Sequence, residues 1–289
     1  MTHRAPVHWL LPPLATIAAM ASFQVGAALA KILFPVVGPQ GSATLRLGLG
    51  ALTLLLLTRP WRRWPRGAPL LPLVGLGCSM AGVIVMFYLA LERLPLAVAM
   101  ALQFLGPLTI PVAGSRRFGD LVWAALAAAG VWLLVRVDAS AARGLDPVGI
   151  AWALGAAVAW GSYVLLGRRA SVAFGRSTAA LSLSVAALLV LPAGVYTAGS
   201  ALLAPALLPL ALLMALFSSA IPFSLDFWAL PRMPPRTFAV LMSLEPAFGV
   251  LAGLVILGEA LSLAQLGGVA LVVCAAAGAA WSAAGERPG

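Results

Sequence analysis

Residues 93–120, RLPLAVAMALQFLGPLTIPVAGSRRFGD, return 139 positions later as residues 232–259, RMPPRTFAVLMSLEPAFGVLAGLVILGE. At this shift Arg93, Pro95, Leu102, Leu105, Pro107, Gly114 and Gly119 fall on Arg232, Pro234, Leu241, Leu244, Pro246, Gly253 and Gly258. Asp120 falls on Glu259, one acid on another. Identities this dense in so short a window point to an internal repeat. The spans before this window do not align at the same shift, so an insertion or deletion separates the two copies.

Each copy carries a run of about 20 apolar residues, the length that crosses the hydrocarbon core of a bilayer. Ten such runs are found along the 289 residues, at 10–33, 41–58, 69–91, 95–114, 120–137, 147–167, 177–198, 206–230, 235–257 and 261–283. The composition agrees: 62% of residues are hydrophobic and 9% charged, against about 45–50% and 25% in soluble domains. The longest polar connection is near 58–68, so neither side has room for a soluble domain. The sequence therefore predicts an all-α, polytopic membrane protein of ten helices in two five-helix repeats, 9–137 and 147–285. Five is odd, so the second repeat enters the membrane upside down. Inverted repeats suit secondary transporters, because exchanging the conformations of the two halves exchanges inward and outward access.

The first run, after Arg4 and ending in Ala28-Leu29-Ala30, has the look of a signal peptide. A signal core is about 7–15 residues and this run is longer, so it is read as an uncleaved helix. With the N-terminus inside, thirteen of the eighteen basic residues fall in cytoplasmic segments, four (Lys31, Arg93, Arg136 and Arg143) fall outside, and Arg46 lies in a span. The positive-inside rule then places both termini in the cytoplasm. The net charge of +10 sets topology here and does not signal a nucleic-acid partner.

Several chemistries are excluded. Lys31 is the sole lysine and precedes Ile32, so no Gly-Lys-Ser/Thr phosphate loop exists. The histidines, His3 and His8, precede the first apolar run, leaving none for a metal or haem within the membrane. No cofactor is expected. Cys78 and Cys274 lie far apart in apolar runs and read as two buried thiols.

Charges within hydrocarbon cost about 2.5–3.5 kcal/mol each and need a reason. Glu245 stands about ten residues into the ninth run and precedes Pro246, which removes a helix hydrogen bond. Pro107, its repeat partner, follows Gly106 and does the same in the fourth run. Helices broken at corresponding points of two halves mark a binding site. Phe238, Met242, Glu245 and Gly249 share a face, with Ser243 beside it. The matching face of the fourth run offers Gln103, so the site takes its acid from the second half. An alternative is that Glu245 pairs with an arginine to lock two helices.

Asp226 lies one turn after Pro222 and is read either as a substrate group or as a partner of Arg232 or Arg236. Gln24, Ala28 and Lys31 share a face of the first helix, with Ser22 nearby; Lys31 alternatively snorkels to the outer surface. Arg46 is in the second run, or reaches the interface. Tyr88 ends the third run, and Trp160 and Tyr163 lie in the sixth; all three line a cavity or belong to lipid-facing belts. Together these residues suit a small zwitterion. Its ammonium would meet Glu245, and its carboxylate a cation or a half-helix N-terminus. A carboxylate in such a cavity is also placed to carry a proton.

The pattern Pro234-Pro235-Arg236-Thr237-Phe238, then Met242-Ser243-Leu244-Glu245-Pro246 and Leu257-Gly258-Glu259, resembles the EamA family of the drug/metabolite transporter superfamily. Within that family the chain is most similar to bacterial threonine/homoserine exporters. The resemblance runs through Met20-Ala21-Ser22-Phe23-Gln24, Gly26-Ala27-Ala28-Leu29-Ala30-Lys31, Leu45-Arg46-Leu47, Arg59-Pro60-Trp61-Arg62, Phe87-Tyr88-Leu89, Gly106-Pro107-Leu108 and Ser115-Arg116-Arg117. It implies a bacterial inner-membrane amino-acid exporter with a central cavity. One departure stands at Gln103, where the exporters' pattern carries a glutamate; specificity or coupling is expected to differ if that acid binds substrate or proton.

The leading expectation is therefore a secondary exporter of small neutral amino acids, threonine- or homoserine-like, with proton exchange as the expected coupling; no ATP site is present, so an ion or substrate gradient supplies the energy. An EamA-type exporter of other metabolites or drugs is the near alternative. An intramembrane enzyme built on Asp226 and Glu245 lacks any protease dyad motif, and a channel would show flux that does not saturate.

Overall fold

The computed structural model describes residues 10–62, 69–106, 118–136, 145–222, 225, 229, 232 and 241–283. Among them every regular element is helical, as the apolar runs require. In chain order these are α1 (Leu11–Thr58), α2 (Leu70–Leu91), α3 (Leu96–Gln103), α4 (Phe118–Arg136), α5 (Pro147–Phe174), α6 (Thr178–Ala198), α7 (Leu208–Ala215), α8 (Glu245–Leu257) and α9 (Leu263–Ala283). A π-helical turn, Leu216–Ala220, continues α7. Among the described residues four helices are long and apolar enough to cross a membrane, namely Leu11–Thr58, Leu70–Leu91, Pro147–Gly167 and Thr178–Leu203. Val122–Leu134, Leu208–Ala220, Glu245–Leu257 and Leu263–Gly278 are shorter apolar helices.

The helix α1 comprises the first two runs, expected as separate helices, as two helical limbs joined across a kink. Gly38 interrupts it, at φ 68° and ψ 175°. In a straight helix Phe23 and Arg46 would stand about 35 Å apart at 1.5 Å per residue. Instead the Arg46 guanidinium carbon lies 4.8 Å from the centre of the Phe23 ring, so the chain doubles back on itself. Glycine tolerates the positive φ of that reversal. Pro35 and Pro39 flank it, each without an N–H to hold a straight helix together. No polar linker is needed, and none is present.

The usual inside-out arrangement of polar and apolar groups is reversed. Gln24, Ser42, Arg46, Gln103, Ser218 and Glu245 are buried, whereas Leu71, Val158, Leu188 and Leu263 are exposed. Lipid is as apolar as a core, so polar groups gather where other helices can satisfy them. Cys78 and Cys274 correct the sequence reading: both are exposed free thiols, not buried ones. A membrane helix is apolar on its lipid face as well as its packed face, so an apolar run does not tell one from the other.

The two halves interleave. The helix α1 packs on α6, α7 and α8, while α2 packs on α5 and α6. In turn α3 packs on α5 and α8, and α4 on α9. Small residues set these approaches, as membrane helix packing requires. A Cβ on Gly130 would lie 2.8 Å from the Gly268 carbonyl oxygen, and one on Gly268 equally close to the Gly130 oxygen. A Cβ on Gly26 would lie 2.6 Å from Ser218.

Candidate functional site

Pro222 shapes the site from the second half. A carbonyl in an α-helix bonds the N–H four residues on, and in a π-turn the N–H five residues on. Pro222 has no N–H, so Ser218 loses its α-type donor and Phe217 its π-type donor. Two carbonyl oxygens are thereby left to find donors in an apolar interior. Span 1 and span 2 residues of α1 supply them. Ser22 Oγ donates to the Phe217 oxygen at 2.7 Å, and Arg46 Nη2 donates to the Ser218 oxygen at 3.3 Å.

Arg46 is 3% exposed. Its Nη1 donates to Tyr88 Oη at 3.2 Å, and Tyr88 is fully buried. The guanidinium faces two rings, Phe23 at 4.8 Å and Tyr88 at 5.6 Å, and Phe34 stacks at a tilt on Tyr88. The cation is thus held by a carbonyl, a phenol and two π-faces. Among the described residues it has no carboxylate partner, and its Nε has no hydrogen-bond acceptor. A buried charge without a counter-ion is costly unless a partner arrives. Gln24 is fully buried, and neither its amide oxygen nor its nitrogen has a partner among the described residues. The Ser42 hydroxyl is in the same condition.

Glu245 is buried and opens α8, with Pro246 in the first turn. A carboxylate at a helix N-terminus meets the positive end of the helix dipole. Pro246 stands in the first turn of α8, directly after a turn at Ser243 and Leu244. Gln103, also buried, closes α3. The positions of Gly249 against Met100 and Ala97, and of Gly253 against Leu96, lay α3 and α8 side by side in antiparallel. The helices are interrupted at Phe104 and at Ser243–Leu244, so Gln103 and Glu245 stand at the same end of this pair. Ser243 is buried at the interruption.

Lys31 neither snorkels outward nor joins Arg46. Its Nζ meets Glu259 Oε1 at 2.6 Å and donates to the Leu94 carbonyl at 2.9 Å. The other oxygen, Glu259 Oε2, accepts from the backbone N–H of Leu96 at 2.7 Å. Nearby but exposed, Arg93 Nη1 donates to Asp146 Oδ2 at 2.7 Å. The hydrogen bond from Arg93, with that from the Val148 backbone, holds the Asp146 carboxyl below its usual range, and Asp146 holds Arg93 above its own.

The structure brings Ser22, Arg46 and Tyr88 together, sets Lys31 apart with Glu259, and places Gln103 with Glu245 on the α3–α8 pair. Trp160 packs edge-on against Phe104 at 5.5 Å, and Tyr163 is half-buried against the main core. Gly106 serves close packing, since a Cβ there would collide with the Ala157 carbonyl. Asp226 and Pro107 lie outside the described residues. Two contributors were not singled out as site residues by sequence reading, Phe23 and Ser218, and Glu259 was noticed only as the repeat partner of Asp120 and in the family element Leu257-Gly258-Glu259. The backbone carbonyl of Ser218 was signalled by Pro222.

A model of the EamA-like transporter family matches residues 147–281. The threonine/homoserine exporter RhtA of Salmonella typhimurium strain SL1344 is 42% identical over 277 residues, 96% of this chain and 93% of the relative. That of Escherichia coli strain K12 is 42% identical over 268 residues, 93% of this chain and 90% of the relative. A solved crystal structure covering 93% of this chain, with 96% of its own length matched, superimposes at a TM-score of 0.60 with 23% identity. That last likeness is one of fold.

Proposed function

The chain belongs to the EamA-like transporter family, and from that premise we propose that it exports small neutral amino acids of the threonine and homoserine kind by secondary active transport. The carrying observation is Arg46, a buried guanidinium with no carboxylate partner among the described residues. A free amino acid supplies the missing anion. Its carboxylate would accept from Arg46 Nε, where Phe23 and Tyr88 keep water away and strengthen the pairing. Glu245 would take the ammonium and, when that is released, a proton. Gln24 offers a donor and an acceptor, which suits a side-chain hydroxyl.

The architecture in this reading is ten spans in inverted halves, 9–137 and 147–285, in the bacterial inner membrane with both termini cytoplasmic. The family match at 147–281 supports the second boundary. The interruptions at Phe104 and Ser243 lie 139 residues apart, the shift of the sequence repeat. Three of the helix pairings, α1 on α6, α3 on α8 and α4 on α9, join parts of spans that the repeat pairs, the second with the seventh, the fourth with the ninth and the fifth with the tenth. The excess of arginine in one set of loops supports the orientation.

Export of another metabolite is a second reading, favoured by Gln103 at a position where the exporters' pattern carries an acid. Flux of labelled threonine and homoserine from proteoliposomes, with and without an imposed pH gradient, separates the two. Saturable flux accelerated by the gradient is expected. Absence of flux for every amino acid tried would overturn the amino-acid reading.

A further inference from the structure

Glu259 is bonded on both oxygens to two different parts of the first half. Oε1 meets Lys31 Nζ at 2.6 Å, and Oε2 accepts from Leu96 N at 2.7 Å. Lys31 Nζ is also bonded to the Leu94 carbonyl, at 2.9 Å. Three segments are thereby tied at one point: the outer part of the first span, the start of α3, and the turn after α8. The turn is made for this. Gly258 takes φ 67° at the end of α8, and Glu259 N bonds back to the Gly253 carbonyl at 2.9 Å. A Cβ on Gly253 would sit 2.9 Å from Glu259 Oε2, so glycine there gives the carboxylate room. In the orientation set by the arginines, all of these groups lie on the side opposite the cytoplasm.

We propose that Glu259, Lys31 and the Leu96 amide form the outer gate of the transporter, and that the gate is stronger than its inner counterpart. This rests on the inverted-repeat reading. The shift of 139 puts Asp120 opposite Glu259 and Pro235 opposite Leu96. Pro235 has no amide hydrogen, so the inner copy is denied the backbone bond that the outer copy makes. The two ends of the path therefore differ in closing energy, and the resting state is closed outside and loads from the cytoplasm, as an exporter requires. Gln24, Ala28 and Lys31 lie on one helical face, and Gln24 is about 10 Å deeper than Lys31 along the axis. The gate thus caps the face that carries Gln24.

The test is the accessibility of a thiol just beneath the gate, read in membrane vesicles of known orientation. In a background with Cys78→Ser and Cys274→Ser, Ala28→Cys is the reporter and a membrane-impermeant maleimide is applied from the outer face. Labelling is expected to be slow in the parent. Lys31→Met and Glu259→Gln are each expected to raise its rate at least about fivefold, the population shift for roughly one lost hydrogen bond. Leu96→Pro is the decisive variant when compared with Leu96→Ala, because both lose the buried leucine side chain and keep every charge but only the proline, tolerated at the first helical position, also deletes the N–H. Leu96→Pro is expected to raise the rate by a similar factor over Leu96→Ala. An unchanged rate between these two, with protein inserted in normal amount, overturns the proposal, even if the two charge variants fail to insert. The assay needs no substrate. Failure of the amino-acid reading would leave the labelling response intact, and failure of the gate would leave flux intact.

Discussion

Arg46 Nη2 donates to the carbonyl oxygen of Ser218 at 3.3 Å, across the interface between the two halves of the chain. The acceptor exists because Pro222 withholds the N–H that would otherwise take it. The bond positions the guanidinium but leaves its charge uncompensated.

That arrangement predicts a separation of binding from stability for Arg46→Met. Losing one side of a buried, hydrogen-bonded charge pair costs about 2–5 kcal/mol of binding, so KM for threonine is expected to rise about 30-fold or more. The substrate-free protein loses the bonds from Arg46 to Ser218 and Tyr88 but sheds an unpaired buried cation, so its Tm should change much less than KM. Arg46→Lys keeps the charge, loses the planar fork, and should fall between. A drop in substrate-free Tm with unchanged KM would make Arg46 a structural residue only.

The reversal in α1 predicts an intolerant glycine. At φ 68° and ψ 175° the backbone of Gly38 is in a region essentially confined to glycine, so an alanine there costs about 1–3 kcal/mol, and no neighbour obstructs the added Cβ itself, whose nearest atom is Gln40 Oε1 at 3.8 Å. Gly38→Ala should therefore lower thermal stability in detergent by about that amount, through backbone strain alone. Gly38→Asn should be no milder, since asparagine tolerates the left-handed helical region and not a ψ of 175°. Equal Tm values for all three proteins would show that the turn has relaxed to another conformation.

Much of this was legible from the sequence, and the failures have common causes. Hydropathy located the apolar helices because hydrocarbon thickness fixes their length. It ended the first run at 33 and began the second at 41, a gap that holds the reversal at Gly38. Cost singled out Arg46 and Glu245 as charges within apolar runs, with the interface left open for Arg46 and a lipid-facing belt for Tyr88; all three are buried, as is Gln103. Hydropathy misjudged Cys78 and Cys274 because apolar sequence looks the same toward lipid and toward protein. Lys31 and Glu259 were each noticed, but 228 positions separate them, and only folding pairs them. Backbone acceptors such as the Ser218 carbonyl have no letter in the sequence; a proline four residues later is their one trace.

The exposed pair Arg93–Asp146 predicts an acid-sensitive contact between the end of α2 and the start of α5. The Asp146 carboxyl is held below its ordinary value of 3.8, first by the hydrogen bond from Arg93. A depressed carboxylate contributes stability above its unfolded pKa and loses it as pH falls through the folded one. Arg93 stays charged throughout. Asp146→Asn should therefore lower Tm slightly at pH 7 and make no difference near pH 2, so that the two Tm–pH curves converge at the acid end. Both groups are open to solvent, so salt should also shrink the difference. Parallel curves across the whole range would show that the pair contributes nothing through its charge.

Glu245 predicts the coupling. It is buried at 4% exposure, opens α8 beside Pro246, and is proposed to alternate between the substrate ammonium and a proton. Glu245→Gln cannot release a proton, so in proteoliposomes an imposed pH gradient should no longer accelerate threonine flux. Exchange of internal for external threonine needs no net proton movement, but it does need the ammonium site. If Glu245 serves protons alone, exchange survives in Glu245→Gln while gradient-driven flux is lost. If it serves both, exchange falls as well, by roughly 10-fold for each 1.4 kcal/mol of lost ammonium binding. Gln103→Glu adds the exporters' acid at the same end of the α3–α8 pair and should partly restore gradient-driven flux to Glu245→Gln. A variant Glu245→Gln that retains the full response to the gradient would remove Glu245 from the proton path.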